Sequence, residues 1–91
     1  MKTKVKVTQL INSNNNPAAN QFVLHEGNKI VFQSYETRIA EIENGIVTLD
    51  DNALNYSKTT SKHLFIFLCM NRKDIEKQIK TGVIKTKKLN N

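Results

Sequence analysis

Phe32-Gln33-Ser34-Tyr35 and Tyr56-Ser57-Lys58-Thr59-Thr60-Ser61-Lys62-His63-Leu64-Phe65-Ile66-Phe67-Leu68 are the two ends of the stretch, residues 32–68, that decides the fold. The first reads as a strand ending in polar residues. In the second, Leu64, Phe67 and Leu68, with Phe65 beside them, recur at helical spacing and make an apolar stripe. Ser57 or Thr60 can cap that helix by accepting a backbone N–H. Between the two ends, Ile39 and Ile42 are three apart, as in a helix. Glu43-Asn44-Gly45 is a strong hairpin signal, however. Thr37–Glu43 is therefore read as a strand with a bulge near Ala40, and Ile46–Leu49 as its partner. Asp50-Asp51-Asn52 ends the sheet as a solvated turn, and 53–56 forms an extended connection to the helix.

Upstream, Thr3, Val5 and Val7 alternate with Lys2, Lys4 and Lys6, as in a half-buried strand with one wet face. The run Asn12-Ser13-Asn14-Asn15-Asn16-Pro17 then breaks the pattern as a polar loop. Phe22 and Leu24 resume the alternation, Gly27-Asn28 turns the chain, and Ile30 and Phe32 return. Downstream, Asn71 ends the first helix and can cap a second, in which Ile75 and Ile79 share a face. Gly82 fits the stop of that helix. Val83-Ile84 carries enough apolar surface to dock as a last short strand, and residues 85–91 form a basic frayed tail.

The expected architecture is α+β: one small domain over residues 1–84, an antiparallel sheet of four to five strands with two C-terminal helices packed on one face. Its core joins Phe22, Leu24, Ile30, Phe32, Ile39, Ile42, Leu64, Phe67 and Leu68. A chain of 91 residues leaves no room for a second domain. Its 38% apolar content, gathered in clusters, sets it apart from disordered chains. The apolar run from Leu64 to Met70 is too short to span a bilayer. With one cysteine no internal disulfide forms, and together these features predict a soluble protein in a reducing, cytoplasmic setting.

The net charge of +6 is concentrated at the ends. Residues 1–6 hold three lysines and no acid, and residues 72–91 hold seven cations against two acids. Two readings of this asymmetry stand: solubility combined with the codon bias of an AT-rich genome, or an acidic or polyanionic partner.

Little in the chain favours catalysis. A structural zinc site needs four Cys or His ligands, and Cys69, His25 and His63 are all this chain has. Cys69 lies in an apolar run and reads as a packing residue. Gly27, Gly45 and Gly82 are isolated and form no phosphate loop. The sequence therefore predicts no catalytic residue, metal or cofactor.

The hydroxyl-rich helix start admits two roles. Lys58, Lys62 and His63 beside free helical N–H groups suit an anion. Gln33, Ser34 and Tyr35 could instead join Tyr56, Ser57 and Thr60 in a polar network that locks the helix to the sheet. Lys73, Lys77 and Lys80 add a basic second helix. No aromatic residues interleave with these lysines, as dedicated single-strand binders require.

Asn20-Gln21-Phe22, Phe32-Gln33-Ser34-Tyr35, Ile39-Ala40, then Tyr56-Ser57-Lys58-Thr59-Thr60-Ser61-Lys62-His63-Leu64 and Phe67-Leu68 resemble a family of small proteins of phages and Gram-positive mobile elements. In that family the pattern is approximately NQF, FQSY, IA, YSRTTSKYL and FL. The resemblance covers residues 17–84, with Lys58 in place of arginine. Leu54-Asn55 replaces a Trp-Asp pair common in the family. The resemblance implies a non-enzymatic accessory protein of a virus or mobile element, acting in the host cytoplasm. Its expected partner is host machinery, a protein or ribonucleoprotein, with inhibition of a CRISPR-type defence complex as the specific expectation. The alternative is a nucleic-acid-binding factor that uses the basic ends. No membrane partner is expected.

Overall fold

A computed structural model describes residues 5–12 and 14–90. Lys2, Thr3 and Lys4, part of the expected N-terminal strand and basic end, lie outside the described residues, as do Ser13 of the loop and Asn91 of the tail. The described residues form β1 (Val5–Ile11), β2 (Pro17–Glu26), β3 (Lys29–Ser34), β4 (Thr37–Glu43), β5 (Ile46–Asp50), α1 (Lys58–Leu68), α2 (Arg72–Thr81) and β6 (Ile84–Lys87). The strands make one sheet in chain order, β1-β2-β3-β4-β5-β6. The first five pair antiparallel, and β6 pairs parallel to β5 after the helical crossover. The α+β class and the two helices agree with the sequence. The sheet has six strands rather than four to five, and it is not wholly antiparallel.

Turn length sets which side chains share a face. Gly27-Asn28 is a two-residue loop, so Glu26 pairs with Lys29, Leu24 with Val31 and Phe22 with Gln33. Even positions of β2 thus face odd positions of β3. Phe22 and Leu24 consequently lie on the face opposite Phe32, and Ile30 remains 36% exposed. The expected single core of Phe22, Leu24, Ile30 and Phe32 is corrected on this point.

The true core lies between the sheet and the helices: Leu10, Phe32, Ile39, Ala40, Leu49, Ala53, Leu64, Ile75 and Ile84. Phe67 stacks on Phe32 with ring centroids 5.5 Å apart. A β-bulge makes this core possible. Gln33 pairs with Arg38 but Phe32 pairs with Ala40, which leaves Ile39 as the extra residue. Ile39 and Ala40 can then both enter the helix-side core, although strict alternation would put one of them on the far face.

No helix covers the far face. There Arg38 leaves the sheet opposite Gln33 and reaches Glu26, opposite Lys29, in a two-pronged ion pair of 2.6 and 3.2 Å. Val31 and its cross-strand neighbours Leu24 and Glu41 are buried on the same face. Lys29 and Glu41 form a second pair on the same face at 3.5 Å.

Residues 85–90 are held in place, contrary to the expected fraying. β6 runs to Lys87, Asp51 N–H donates to Lys87 O, and the side chain of Asn90 closes on the backbone of Arg38. Asn90 accepts from Arg38 N–H and donates to Arg38 O, both at 2.9 Å. β5 has already turned away at this level, so the amide of Asn90 takes the place of a missing strand residue. The extended connection expected at 53–56 is instead part of a pair of turns, closed by Ala53 N–H to Asp50 O and Asn55 N–H to Asn52 O.

Candidate functional site

α1 begins where Ser57, in extended backbone, accepts from Thr60 N–H at 3.0 Å. The Ser57 hydroxyl in turn donates to Thr60 Oγ1 at 3.1 Å, and Thr60 Oγ1 meets Ser34 Oγ at 3.0 Å across a buried contact. The expected lock between helix and sheet thus consists of Ser57, Thr60 and Ser34. Gln33, Tyr35 and Tyr56 do not join it. Gln33 lies on the far face and donates to Tyr35 O. Tyr35 is a hairpin residue, 58% exposed, held with φ 55° by an N–H bond to Asn20 O. Tyr56 turns towards Asp50.

Beside Ser34 across the β2–β3 pair lies Gln21, fully buried. Among the described residues neither its Nε2 nor its Oε1 has a hydrogen-bond partner. His63, expected on the binding surface, is buried. Its Nδ1 lies 2.7 Å from Thr59 O, and since a carbonyl can only accept, Nδ1 carries the proton. Its role is to brace α1.

Sequence reasoning missed Asp50. This carboxylate is 4% exposed and accepts from Tyr56 Oη at 2.6 Å, Leu89 N–H at 3.0 Å, Asn52 N–H at 3.1 Å and Asn90 Nδ2 at 3.4 Å. Burial works against its charge, but the bonds from Tyr56, Leu89, Asn52 and Asn90 outweigh burial and hold the carboxyl below its ordinary value. The hydrogen bond to Asp50, with burial and the carboxylate charge, pushes the Tyr56 phenol up to about 12. This cluster ties the β5 end, the turns and the tail together.

Cys69 also departs from expectation. It is exposed, at φ 55°, in the left-handed position that ends α1. Its N–H donates to Ile66 O, and Met70 N–H donates to Phe65 O. Asn71 then caps α2 by accepting from Asp74 N–H at 2.8 Å, and Gly82 ends α2 at φ 85°, both as the sequence suggests.

The lysines remain on the outside. Lys58 and Lys62, four apart on α1, line a groove of about 460 Å³ with Ser57, Ser61, Leu54, Asn55, Phe65 and Arg72. Lys73, Lys77 and Lys80 form one stripe of α2 and line a neighbouring groove of about 700 Å³ with Leu54, Glu76 and Ile79. Leu54 belongs to both. Among the described residues lining the two grooves, six cations face a single carboxylate, Glu76, whose Oε1 lies 3.6 Å from Arg72 Nε. The structure therefore gathers the lysines predicted on both helices into one continuous helical face. Among the described residues no three His, Cys, Asp or Glu side chains converge as a metal site, and no helix is long and apolar enough to cross a membrane.

A sheet backed on one face by two helices, whose outward side is a cationic pair of grooves, describes a small α+β domain with one cationic face. The chain belongs to Family of unknown function (DUF8033), whose profile matches residues 5–83. No curated protein and no solved structure matches it.

Proposed function

We propose that this protein is a non-enzymatic accessory factor of a phage or mobile element. It binds host machinery in the cytoplasm through its helical face, and an inhibitor of a CRISPR-type defence complex is the specific form this takes. The observation that supports the reading is the merging of Lys58, Lys62, Arg72, Lys73, Lys77 and Lys80 into two adjoining grooves. Such a field steers an acidic protein or ribonucleoprotein surface into contact and speeds its association. The sequence resemblance supplies the biological setting.

A second reading, direct nucleic-acid binding, has one observation in its favour: Lys85, Lys87 and Lys88 on and after β6 are also exposed. Capture from host lysate with and without nuclease separates the two. A protein partner retained after nuclease treatment supports the first reading. A partner lost with nuclease, together with affinity that falls steeply with salt, supports the second.

A further inference from the structure

Resting on the reading of the helical face as a binding surface, we propose that its occupant is an acidic protein segment carrying an apolar anchor, and that Leu54 is the seat of that anchor. Leu54 sits where the two cationic grooves meet. The turns on either side hold it, and its neighbour Ala53 is buried to 2% exposure in the core. The floor around it is apolar, with Phe65 in one groove and Ile79 in the other.

A nucleic-acid backbone needs cations for its phosphates and aromatic faces for its bases. The cations are present, but among the described residues Phe65 is the single aromatic side chain lining either groove, so successive bases have no second ring to stack on. An apolar floor of Leu54, Phe65 and Ile79 between cationic rails fits instead a chain that brings carboxylates to the rails and one apolar side chain to the floor. A third, smaller recess shares Leu54, Arg72, Glu76 and Ile79 with the grooves and adds the exposed carboxylate of Asp51 on the side of β5. Asp51 disfavours an acidic segment that strays towards β5.

The test uses the whole chain and three fluorescent probes. They are a glutamate-rich peptide with central leucines, the same peptide with serines for leucines, and a single-stranded thymidine oligonucleotide of equal charge. The leucine peptide should bind at least about tenfold more tightly than the serine peptide, a difference of about 1.4 kcal/mol. Titration with the leucine peptide should shift the NMR methyl signals of Leu54. Leu54→Ser should abolish the preference while leaving the serine peptide's affinity unchanged. Since Leu54 also packs against the core, the comparison of peptides on the unaltered protein stands even if this variant fails to fold.

Equal affinity for the two peptides, or tightest binding of the oligonucleotide, overturns the proposal. The paired changes Lys58→Glu with Lys62→Glu, and Lys73→Glu with Lys77→Glu, should weaken both peptides. If they leave every probe unaffected, the cationic face itself is not the binding surface, and the broader reading fails as well.

Discussion

Asp50→Asn tests whether the cluster at the end of β5 holds the fold. The carboxylate accepts two bonds on each oxygen: Tyr56 Oη and Asn52 N–H on Oδ2, Leu89 N–H and Asn90 Nδ2 on Oδ1. An asparagine amide presents one carbonyl and one NH₂, so on one side donor must face donor. With the NH₂ on the Oδ2 side, the Tyr56 hydroxyl can turn to accept from it, so Asn52 N–H is the donor left without a partner, and the remaining bonds lose the charge that strengthened them. With one hydrogen bond to a charged group contributing about 1.5–3 kcal/mol and the others weakened, the variant should lose roughly 2–4 kcal/mol. For a domain of this size that is a fall in Tm on the order of 10–20 °C.

The pH dependence follows from the same site. The folded carboxyl lies below its ordinary 3.8, so its contribution is complete above that value and is lost as pH falls through the folded pKa. Tyr56 acts in the other direction. Its phenol is raised from 10.0 to about 12, so the unfolded chain releases this proton first, and stability declines as pH rises between those values. Urea unfolding of the wild type, Asp50→Asn and Tyr56→Phe across pH measures all three effects. A Tm for Asp50→Asn within a degree or two of wild type, with the same acid sensitivity, would refute the assignment of Asp50 as a structural hub.

Cys69 is exposed and left-handed, so a thiol reagent should modify it in the native protein as fast as in denaturant. Cys69→Gly should raise stability by about 0.5–1 kcal/mol by relieving the strained backbone; slow native labelling would return the thiol to the core. Ser57→Ala should cost about 0.5–2 kcal/mol as a lost cap, whereas Lys58→Glu with Lys62→Glu should leave the melt nearly unchanged; calorimetry of the two variants compares these directly. Gln21→Met removes two buried polar atoms that have no protein partner, and it should stabilise by about 1–2 kcal/mol. A lowered Tm for that variant would show that solvent satisfies the amide.

The element order was largely legible because each boundary carries its own chemistry. Gly27-Asn28 and Asn44-Gly45 mark the two-residue turns, Ser57 and Asn71 the helix starts, and Gly82 a helix end. The misplaced core was also within reach. A two-residue loop forces odd positions to pair with even ones, which alone separates Phe22 and Leu24 from Ile30 and Phe32. Other features were out of reach because their causes lie far along the chain. The partners of Asp50 at Leu89 and Asn90 are 39 and 40 residues away, and nothing in adjacent aspartates announces them. The exposure of Cys69 follows from how little chain joins the helices. Only Cys69 and Met70 separate the end of α1 from the cap of α2, so an apolar run that reads as continuous must break into a tight turn.

The helix start explains why the same residues were legible as structure and only partly legible as function. One helical period sorts them. Thr60, Ser61, His63 and Leu64 turn inward and are buried. Thr60 is joined to Ser34 and Ser57, and His63 to the Thr59 carbonyl. The hydroxyls expected to cradle an anion are therefore largely committed to holding α1 against the sheet. Lys58 and Lys62, four apart on the same helix, turn outward, where they stabilise nothing in the fold. Side chains that the fold does not need are free to be shaped by a partner. On the proposed reading the binding surface is the rim where α1, Leu54 and α2 meet, and that rim is composed from three separate segments, none of which forms a motif by itself.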